Sequence, residues 1–385
     1  MSEWKRYKLN EIASLSNGIN FDKSAYTSGV KLIGVADFKD RVYPDYDSLQ
    51  EVDSKVVRNG DYLEKGDIVF VRSNGNKELV GRCMMIDRDI PVTYSGFCIK
   101  LHLIDKNKFE PAYLNYLFKT REFKKVMTGT AVGANIQNLS QSRLGNCEIN
   151  VPNIETQREL AIIISRYDSL IENYQKQIKL LEESAQRLYK EWFIDLRFPG
   201  YENTKIVDGV PEGWEKTILC SLVEFKRGKT ITKKDVIEGS IPVVAGGLEP
   251  AYYCNKFNTS ERIITISASG ANAGYTKMYF EKVWASDCSF VDNSMTPYLH
   301  FIFCFLRDNK TTIDNMQKGS AQPHVYAKDV NTMELCLPET SILQTFEKKV
   351  SKRFDMISSL LSQIRHLTEA RDRLLPKLMS REICV

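Results

Sequence analysis

Residues 167–192 read YDSLIENYQKQIKLLEESAQRLYKEW. Within them Tyr167, Ile171, Tyr174, Ile178, Leu181, Ala185, Leu188 and Trp192 recur in strict 4,3 spacing. At 3.6 residues per helical turn that spacing gathers every member on one stripe, the pattern of a coiled-coil seam. Upstream, Thr156-Gln157-Arg158-Glu159 follows Pro152 in the form of a capping box, which predicts the helix start at Thr156. The arrangement returns near the other end of the chain. Ser341-Ile342-Leu343-Gln344 follows Pro338, and a second seam runs through Ile357, Leu360, Ile364, Leu367, Leu374 and Leu378. Arg371 interrupts that seam, and Pro376 predicts an irregular last turn. Each seam covers only about three or four heptads, so each helix needs a partner.

Working outward, the rest of the chain is also said twice. Trp4 and the turn Ser16-Asn17-Gly18 are answered by Trp214 and Lys226-Arg227-Gly228. The strand Ile68-Val69-Phe70-Val71 runs into a polar loop, Arg72 to Gly75, and is matched to Ile263-Ile264-Thr265-Ile266 running into Ser267 to Gly270. Tyr113-Leu114 with Phe118 answers Tyr298-Leu299 with Phe303, and Gly129-Thr130-Ala131 answers Gly319-Ser320-Ala321. A repeat of roughly 190 residues is too long for a solenoid module, so each copy is a whole domain followed by a helix. The shortest route to two buried seams runs the second helix back antiparallel against the first. The predicted fold class is α+β: two homologous mixed α/β domains separated by a long antiparallel two-helix coiled coil. The boundaries are 1–152 and 198–338 for the domains, and 153–197 and 339–385 for the helices. The first seam spans about 26 residues, roughly 39 Å, close to one turn of B-DNA at about 34–36 Å. The plainer reading of such a bar is a stable linker.

Composition sets the class. The chain has 385 residues, 43% hydrophobic and 26% charged, with 53 Lys and Arg against 49 Asp and Glu for a net charge of +4. That supports more than one buried core and leaves any nucleic-acid affinity to a local basic face. The longest apolar runs, such as Phe301 to Leu306, are far shorter than a membrane span, and Met1-Ser2-Glu3-Trp4-Lys5 carries no apolar signal core. Nine scattered cysteines without a CxxC pair fit a reducing compartment, so a cytoplasmic location is expected. The stretch Phe198 to Asn203 reads as a hinge, and Trp214 as the seat of the second domain's first strand.

Each domain reads as short β-branched strands between Gly and Asn turns: Asp67 to Val71, Cys83 to Ile86 and Phe97 to Leu103 in the first; Arg262 to Ile266, Thr276 to Phe280 and Lys282 to Ala285 in the second. One helix per domain is expected, Pro111 to Met127 and Pro297 to Asn309. Their aromatics, at helical spacing, are core and not base-stacking platforms. Candidate contacts fall in the loops, where a repeated scaffold can vary without refolding. In the first domain they are Arg72, Asn74, Asn76 and Lys77, then Asn135, Gln137 and Asn138; in the second, Ser269 and Asn272, then Gln322 and His324, with Arg227, Lys229 and Lys233. Arg can grip guanine or phosphate, and Asn or Gln can pair with adenine. Further basic groups, Lys226 and Lys234 with Lys119, Arg121, Lys124 and Lys125, could neutralise phosphates.

Catalytic and metal signatures are absent from the sequence. Gly228-Lys229-Thr230 ends like a phosphate-binding loop, yet the glycine needed five residues earlier is Val223. The four histidines, His102, His300, His324 and His366, form no HExxH and have no cysteine pair nearby, so neither a metal nor a cofactor is expected.

With these features in view, the chain resembles the specificity subunits of type I restriction-modification enzymes along essentially its whole length. The residues that carry the resemblance are Pro211-Glu212-Gly213-Trp214, Gly319-Ser320-Ala321-Gln322-Pro323, Leu188-Tyr189-Lys190-Glu191-Trp192-Phe193 and Arg373-Leu374-Leu375-Pro376-Lys377-Leu378-Met379. The first domain departs from it, with no Pro-Glu-Gly before Trp4 and no Gln-Pro after Gly129. The resemblance implies two target-recognition domains, each reading half of a bipartite site in double-stranded DNA. It also implies helices that dock modification subunits, and the apolar positions proposed for docking are Tyr174, Ile178, Leu181, Leu188, Trp192, Ile364, Leu367 and Leu374. S-adenosylmethionine, ATP and Mg are then expected on partner modification and restriction subunits, none in this chain, which would perform no chemistry alone. Two other readings remain: a coiled-coil scaffold joining two protein-binding domains, and a self-contained DNA-modifying enzyme.

Overall fold

The computed structural model describes residues 4–38, 41–73, 79–128, 138–319, 322–380 and 382–383. The chain divides into two compact units, Met1–Asn173 with Ile364–Val385, and Tyr174–Gln363. The long helices Ile154–Tyr189 and Thr340–Met379 each give one part to either unit.

In the first unit a four-stranded antiparallel sheet has the order Ala13–Asn17, Cys98–Leu103, Ile68–Val71, Cys83–Met85. A three-stranded sheet sets Tyr26–Ile33 between Gln50–Val52 and Val92–Tyr94, the last pair parallel. Lys5–Lys8 pairs with Glu148–Val151. The second unit repeats this strand for strand. Lys226–Arg227, Cys288–Asp292, Ile263–Ser267 and Thr276–Tyr279 form the larger sheet; Ile241–Val244 lies between Tyr252–Cys254 and, in parallel, Trp284–Ala285; Glu215–Ile218 pairs with Glu334–Leu337.

The inner strands Ile68–Val71 and Ile263–Ser267 are buried at every position because both of their faces are covered, the first apolar throughout and the second carrying Thr265 and Ser267. Ile68 and Phe70 face a core shared with helices, whereas Val69 and Val71 face the core under the smaller sheet. In the second unit Ile264 and Ile266 face the helical core, and Ile263 the other one. This corrects the expected match by one residue. Ile68 to Val71 corresponds to Ile264 to Ser267, since a one-residue slip would turn every side chain to the wrong face.

The helices also differ from expectation where capping chemistry decides. The predicted helix Pro111 to Met127 is two, Pro111–Lys119 and Arg121–Thr128. Thr120 separates them: its hydroxyl donates to the Leu117 carbonyl at 2.7 Å and accepts from the Phe123 amide at 3.2 Å, closing one helix and opening the next. In the second unit Leu299–Asp308 is followed by Lys310–Asn315. Their aromatics are core: Tyr113, Phe118, Phe303 and Phe305 are all buried.

The first long helix begins at Ile154, not Thr156, because the Asn153 side chain accepts from the Thr156 amide at 3.0 Å. Gln157, expected within a capping box, is buried and bonds the Lys108 and Pro152 carbonyls and the Glu110 amide at 3.1, 2.8 and 2.9 Å. The second begins at Thr340, not Ser341, with the Ile342 and Leu343 amides on the Glu339 carbonyl.

Both seams face inward. In the first unit Leu160, Ala161 and Ile164 share a core with Leu375, Leu378 and Met379. Arg371, the interruption in the second seam, donates to Asp168 at 2.7 Å, and the Tyr116 hydroxyl donates to the same carboxylate at 2.7 Å. In the second unit Ala185, Tyr189 and Trp192 pack with Leu343, Phe346, Val350 and Phe354. Contacts there pair Tyr189 with Phe346 and Ser184 with Arg353, so the helices run antiparallel.

The first long helix ends in a wide turn, Lys190–Ile194, closed by the Asp195 amide on the Lys190 carbonyl at 2.8 Å. The extra residue per turn lets the consecutive Trp192 and Phe193 both reach the core. Phe193 meets Phe301 and Phe346 edge-on, each at 4.9 Å. The stretch from Phe198 is not a free hinge: Phe198 is buried 4.8 Å from Trp214 in that same core.

Candidate nucleic-acid interface

At one end of each large sheet four connecting segments converge. In the first unit these are residues 17–19, 72–73, 95–98 and 138–139. The Ile19 amide bonds the Tyr94 carbonyl at 2.9 Å, the Gly96 amide the Ile19 carbonyl at 2.7 Å, the Arg72 amide the Phe97 carbonyl at 2.8 Å, and the Leu139 amide the Arg72 carbonyl at 2.7 Å. Ser73 and Asn138 form an antiparallel bridge. In the second unit the Lys229 amide bonds the Ala285 carbonyl at 2.9 Å, the Ala268 amide the Asp287 carbonyl at 3.2 Å, and the Val325 amide the Ala268 carbonyl at 3.0 Å, while Ser269 bridges His324. Ser73 thus corresponds to Ser269, Asn138 to His324 and Asn17 to Arg227.

The glycine inside the first of these segments is required for close approach. A Cβ on Gly18 would lie 2.2 Å from the Tyr94 carbonyl oxygen, and one on Gly228 2.3 Å from that of Ser286. Beside Gly18, the Tyr94 hydroxyl is 2.8 Å from Ser16 Oγ, and burial above all pushes that phenol up to about 12, keeping it neutral.

In the second unit Arg227, Ser289, His324, Tyr326 and Lys328 line a concavity of about 200 Å³. His324 stacks on Tyr326 with ring centroids 5.9 Å apart and planes at 13°, and Lys328 Nζ sits 5.7 Å from the centre of the Tyr326 ring. Cationic and aromatic groups around one opening suit phosphate and base together. Ser269 is held differently, its hydroxyl bonded to Asp287. Asn272 lies in the same loop, whose Gly270 amide reaches the Pro323 carbonyl at 3.0 Å; Gln322 is exposed. Lys229 and Lys233 are exposed on a segment pinned by Trp284, which donates to the Lys229 carbonyl at 2.7 Å, and by Tyr252, which donates to that of Ile231 at 2.6 Å.

In the first unit Arg72 reaches the Gly96 carbonyl at 3.4 Å, and Asn138 is exposed. Asn74, Asn76, Lys77, Asn135 and Gln137 lie outside the described residues. Lys119 is turned inward, donating to the Arg41 and Cys83 carbonyls at 2.7 and 2.8 Å, so it caps backbone instead of facing phosphate. Tyr326, Lys328 and Asp287 were not singled out from sequence; the signal available was their position beside His324 and before Cys288.

Of the apolar helix positions, Trp192 is buried, and Ile178, Leu181 and Leu188 pack on the second unit's core and Leu374 on the first's. Tyr174, Ile364 and Leu367 are half-buried. Leu180, by contrast, is 63% exposed and lines a groove with Glu183, Arg187 and Arg353. Among the described residues no cluster of His, Cys, Asp or Glu could hold a metal ion, and no helix is long and apolar enough to cross a membrane.

Two copies of one α/β head, each with polar loops gathered at the same sheet end and each followed by a long paired helix, define a duplicated recognition protein. Comparison with known proteins gives the family. The model of the type I restriction modification DNA specificity domain matches residues 1–183 and 211–368, and the chain belongs to that family. It is 29% identical over 311 residues to the type I restriction enzyme MjaIX specificity subunit of Methanocaldococcus jannaschii, covering 74% of this chain and 72% of that one. Against the HindI specificity subunit of Haemophilus influenzae it is 24% identical with both chains covered in full. The crystal structure of the type I restriction-modification system S subunit from M. genitalium superposes with a TM-score of 0.58 at 17% identity, covering 98% of this chain and 96% of that one, and shows the same fold.

Proposed function

We propose that this chain is the sequence-reading subunit of a type I restriction-modification complex, with domains 1–152 and 198–338 each reading one half of a bipartite site in double-stranded DNA. The observation that carries this reading is the loop cluster: the same four segments meet at the same sheet end in both heads, and in the second they ring an opening with Arg227, His324, Tyr326 and Lys328. Cationic, amide and aromatic groups gathered at the same sheet end suit contacts to phosphate and base, which the salt dependence below separates from a protein-scaffold reading. As a specificity subunit the chain is the non-catalytic member of its complex. The helical segments 153–197 and 339–385 would dock modification subunits, with S-adenosylmethionine there and ATP and Mg on a restriction subunit, all in the cytoplasm. Docking falls to the outer faces of the helices, where Leu180 and Arg187 are exposed, since the seam residues are spent on the chain's own cores.

The test is binding of the chain, with its modification partner, to duplex DNA across a salt titration. Neutralised phosphates give a steep fall of affinity with salt. A flat response would favour the protein-scaffold reading, and methyl transfer from labelled S-adenosylmethionine by the chain alone would overturn its non-catalytic role.

A further inference from the structure

The turn between Tyr94 and Cys98 carries a phenylalanine where it has no core to enter. Phe97 is 62% exposed. Its backbone, however, is among the most constrained of the loop cluster. The Phe97 carbonyl accepts from the Arg72 and Ser73 amides at 2.8 and 3.4 Å, the Cys98 amide closes the turn on the Ser95 carbonyl at 2.9 Å, and the Gly96 amide is held by Ile19 at 2.7 Å. A Cβ on Gly96 would lie 2.1 Å from Asn20 Oδ1, so the turn is packed on its other side too. The result is a fixed post with an apolar ring at its tip, standing beside Arg72 and the Ser73–Asn138 bridge.

The second head has a turn one residue shorter in the same place, between Ala285 and Cys288, with different chemistry. Its Ala268 amide bonds the carbonyl of Asp287, the residue before Cys288, just as Arg72 bonds that of Phe97 before Cys98. There the side chain is folded back on the Ser269 hydroxyl. The same framework position therefore holds a projecting ring in one head and an inward carboxylate in the other.

We propose that Phe97 is a specificity-determining residue: its ring is buried against base pairs of the half-site that the first head reads, as an apolar contact to the bases and not to the phosphates. This rests on the DNA-recognition reading given above. The contact requires duplex DNA brought to the loop cluster, where Arg72 supplies the polar hold and Phe97 the apolar one. Because the ring is exposed in the free protein, its removal leaves the fold intact.

The experiment uses the assembled methylation complex and a duplex carrying the bipartite site mapped from methylated adenines in host DNA. Phe97→Ala should weaken binding by about tenfold or more, the scale of losing one apolar base contact. It should also flatten the penalty for base changes in one half-site and leave the other half-site unchanged. The slope of log affinity against log salt should stay at the wild-type value, since no phosphate contact is lost, whereas Arg227→Ala should lower it by about one. Phe97→Leu should recover part of the affinity. Replacing thymine by uracil along the affected half-site separates a methyl contact, which this change weakens, from a wedge between base steps, which it does not. Unchanged affinity and half-site preference, or a loss that comes with a shallower salt slope, would overturn the assignment. A wild-type complex that bound no duplex in a salt-dependent way would overturn the DNA-recognition reading itself.

Discussion

Removing Arg371 tests whether the break in the second seam is a defect or a fastening. Its guanidinium and the Asp168 carboxylate are only 16% and 10% exposed, 2.7 Å apart, and the Tyr116 hydroxyl shares the carboxylate. The pair and its hydrogen bonds push the arginine further up in spite of its burial, and the buried Tyr116 is also pushed up, so it stays a neutral donor. Arg371→Leu leaves the carboxylate buried with one partner. Loss of one member of a fully buried pair costs about 3–5 kcal/mol; with slight exposure and Tyr116 still donating, about 2–3 kcal/mol is expected. At roughly 1.4 kcal/mol per factor of ten, that is about a 30- to 150-fold rise in local opening. The assay is hydrogen exchange on the Ile364–Met379 amides, because three of the four tryptophans, Trp192, Trp214 and Trp284, lie in the other unit and would report its unfolding instead. Combining Arg371→Leu with Asp168→Leu, Tyr116→Phe and Tyr43→Phe, the last because the Tyr43 hydroxyl bonds that of Tyr116, removes the ion pair and the hydroxyls beside it and should restore most of the protection. The reasoning is refuted if Arg371→Leu leaves exchange unchanged, or if the combined variant loses as much as the sum of its parts.

Other consequences can be checked directly. Gly228→Ala should destabilise the second head by about 2–3 kcal/mol, since its Cβ would strike backbone that cannot rotate away, and Gly18→Ala should do the same in the first; urea midpoints within error of wild type would remove the close-approach argument. Burial above all pushes the Cys98 and Cys288 thiols up to about 12, so at pH 8 only about one in ten thousand is thiolate. In a Cys384→Ser background, thiol labelling of the native chain should therefore proceed first at the exposed Cys220, and early labelling of Cys98 or Cys288 would contradict their burial. Leu181→Glu should lower the thermal midpoint of the second unit by placing a charge against its core, and an unchanged midpoint would argue against that packing.

Much of this architecture was written locally. The 4,3 spacing from Tyr167 to Trp192 and the apolar run Ile68 to Val71 carry their own periodicity, so the seams and the central strands could be read directly. What escaped was fixed by distant partners. Cys288–Asp292 is buried at all five positions although Ser289 and Asp292 break its apolar run, so neither a continuous apolar stretch nor an alternation marks it as a strand until its neighbours are known. The helix starts were displaced by two and one positions because the Asn153 side chain takes the Thr156 amide and the Glu339 carbonyl takes the Ile342 and Leu343 amides. Asn138 and His324 could be flagged as polar loop residues, but their meeting with Ser73 and Ser269 is a long-range bridge that no spacing encodes.

The one-residue correction in the strand match changes the functional argument. With Ile68 set against Ile264, the framework positions of the two heads coincide: Gly18 with Gly228, Cys98 with Cys288, and the buried Leu139 with the buried Val325. These positions pack against backbone or core and have little freedom. Between them, at equivalent loop positions, stand unlike residues: Asn17 and Arg227, Phe97 and Asp287, Asn138 and His324. Set one residue out of register, the alignment would pair Ser73, which bridges Asn138, with Ala268 in place of Ser269, which bridges His324, and the equivalence of the two bridges would vanish. A scaffold that holds its contact positions on pinned backbone can exchange an amide for a guanidinium, or a ring for a carboxylate, at little cost in folding, because the exchanged groups lie outside both cores. That is the physical condition for one fold, used twice in a chain, to read two different half-sites.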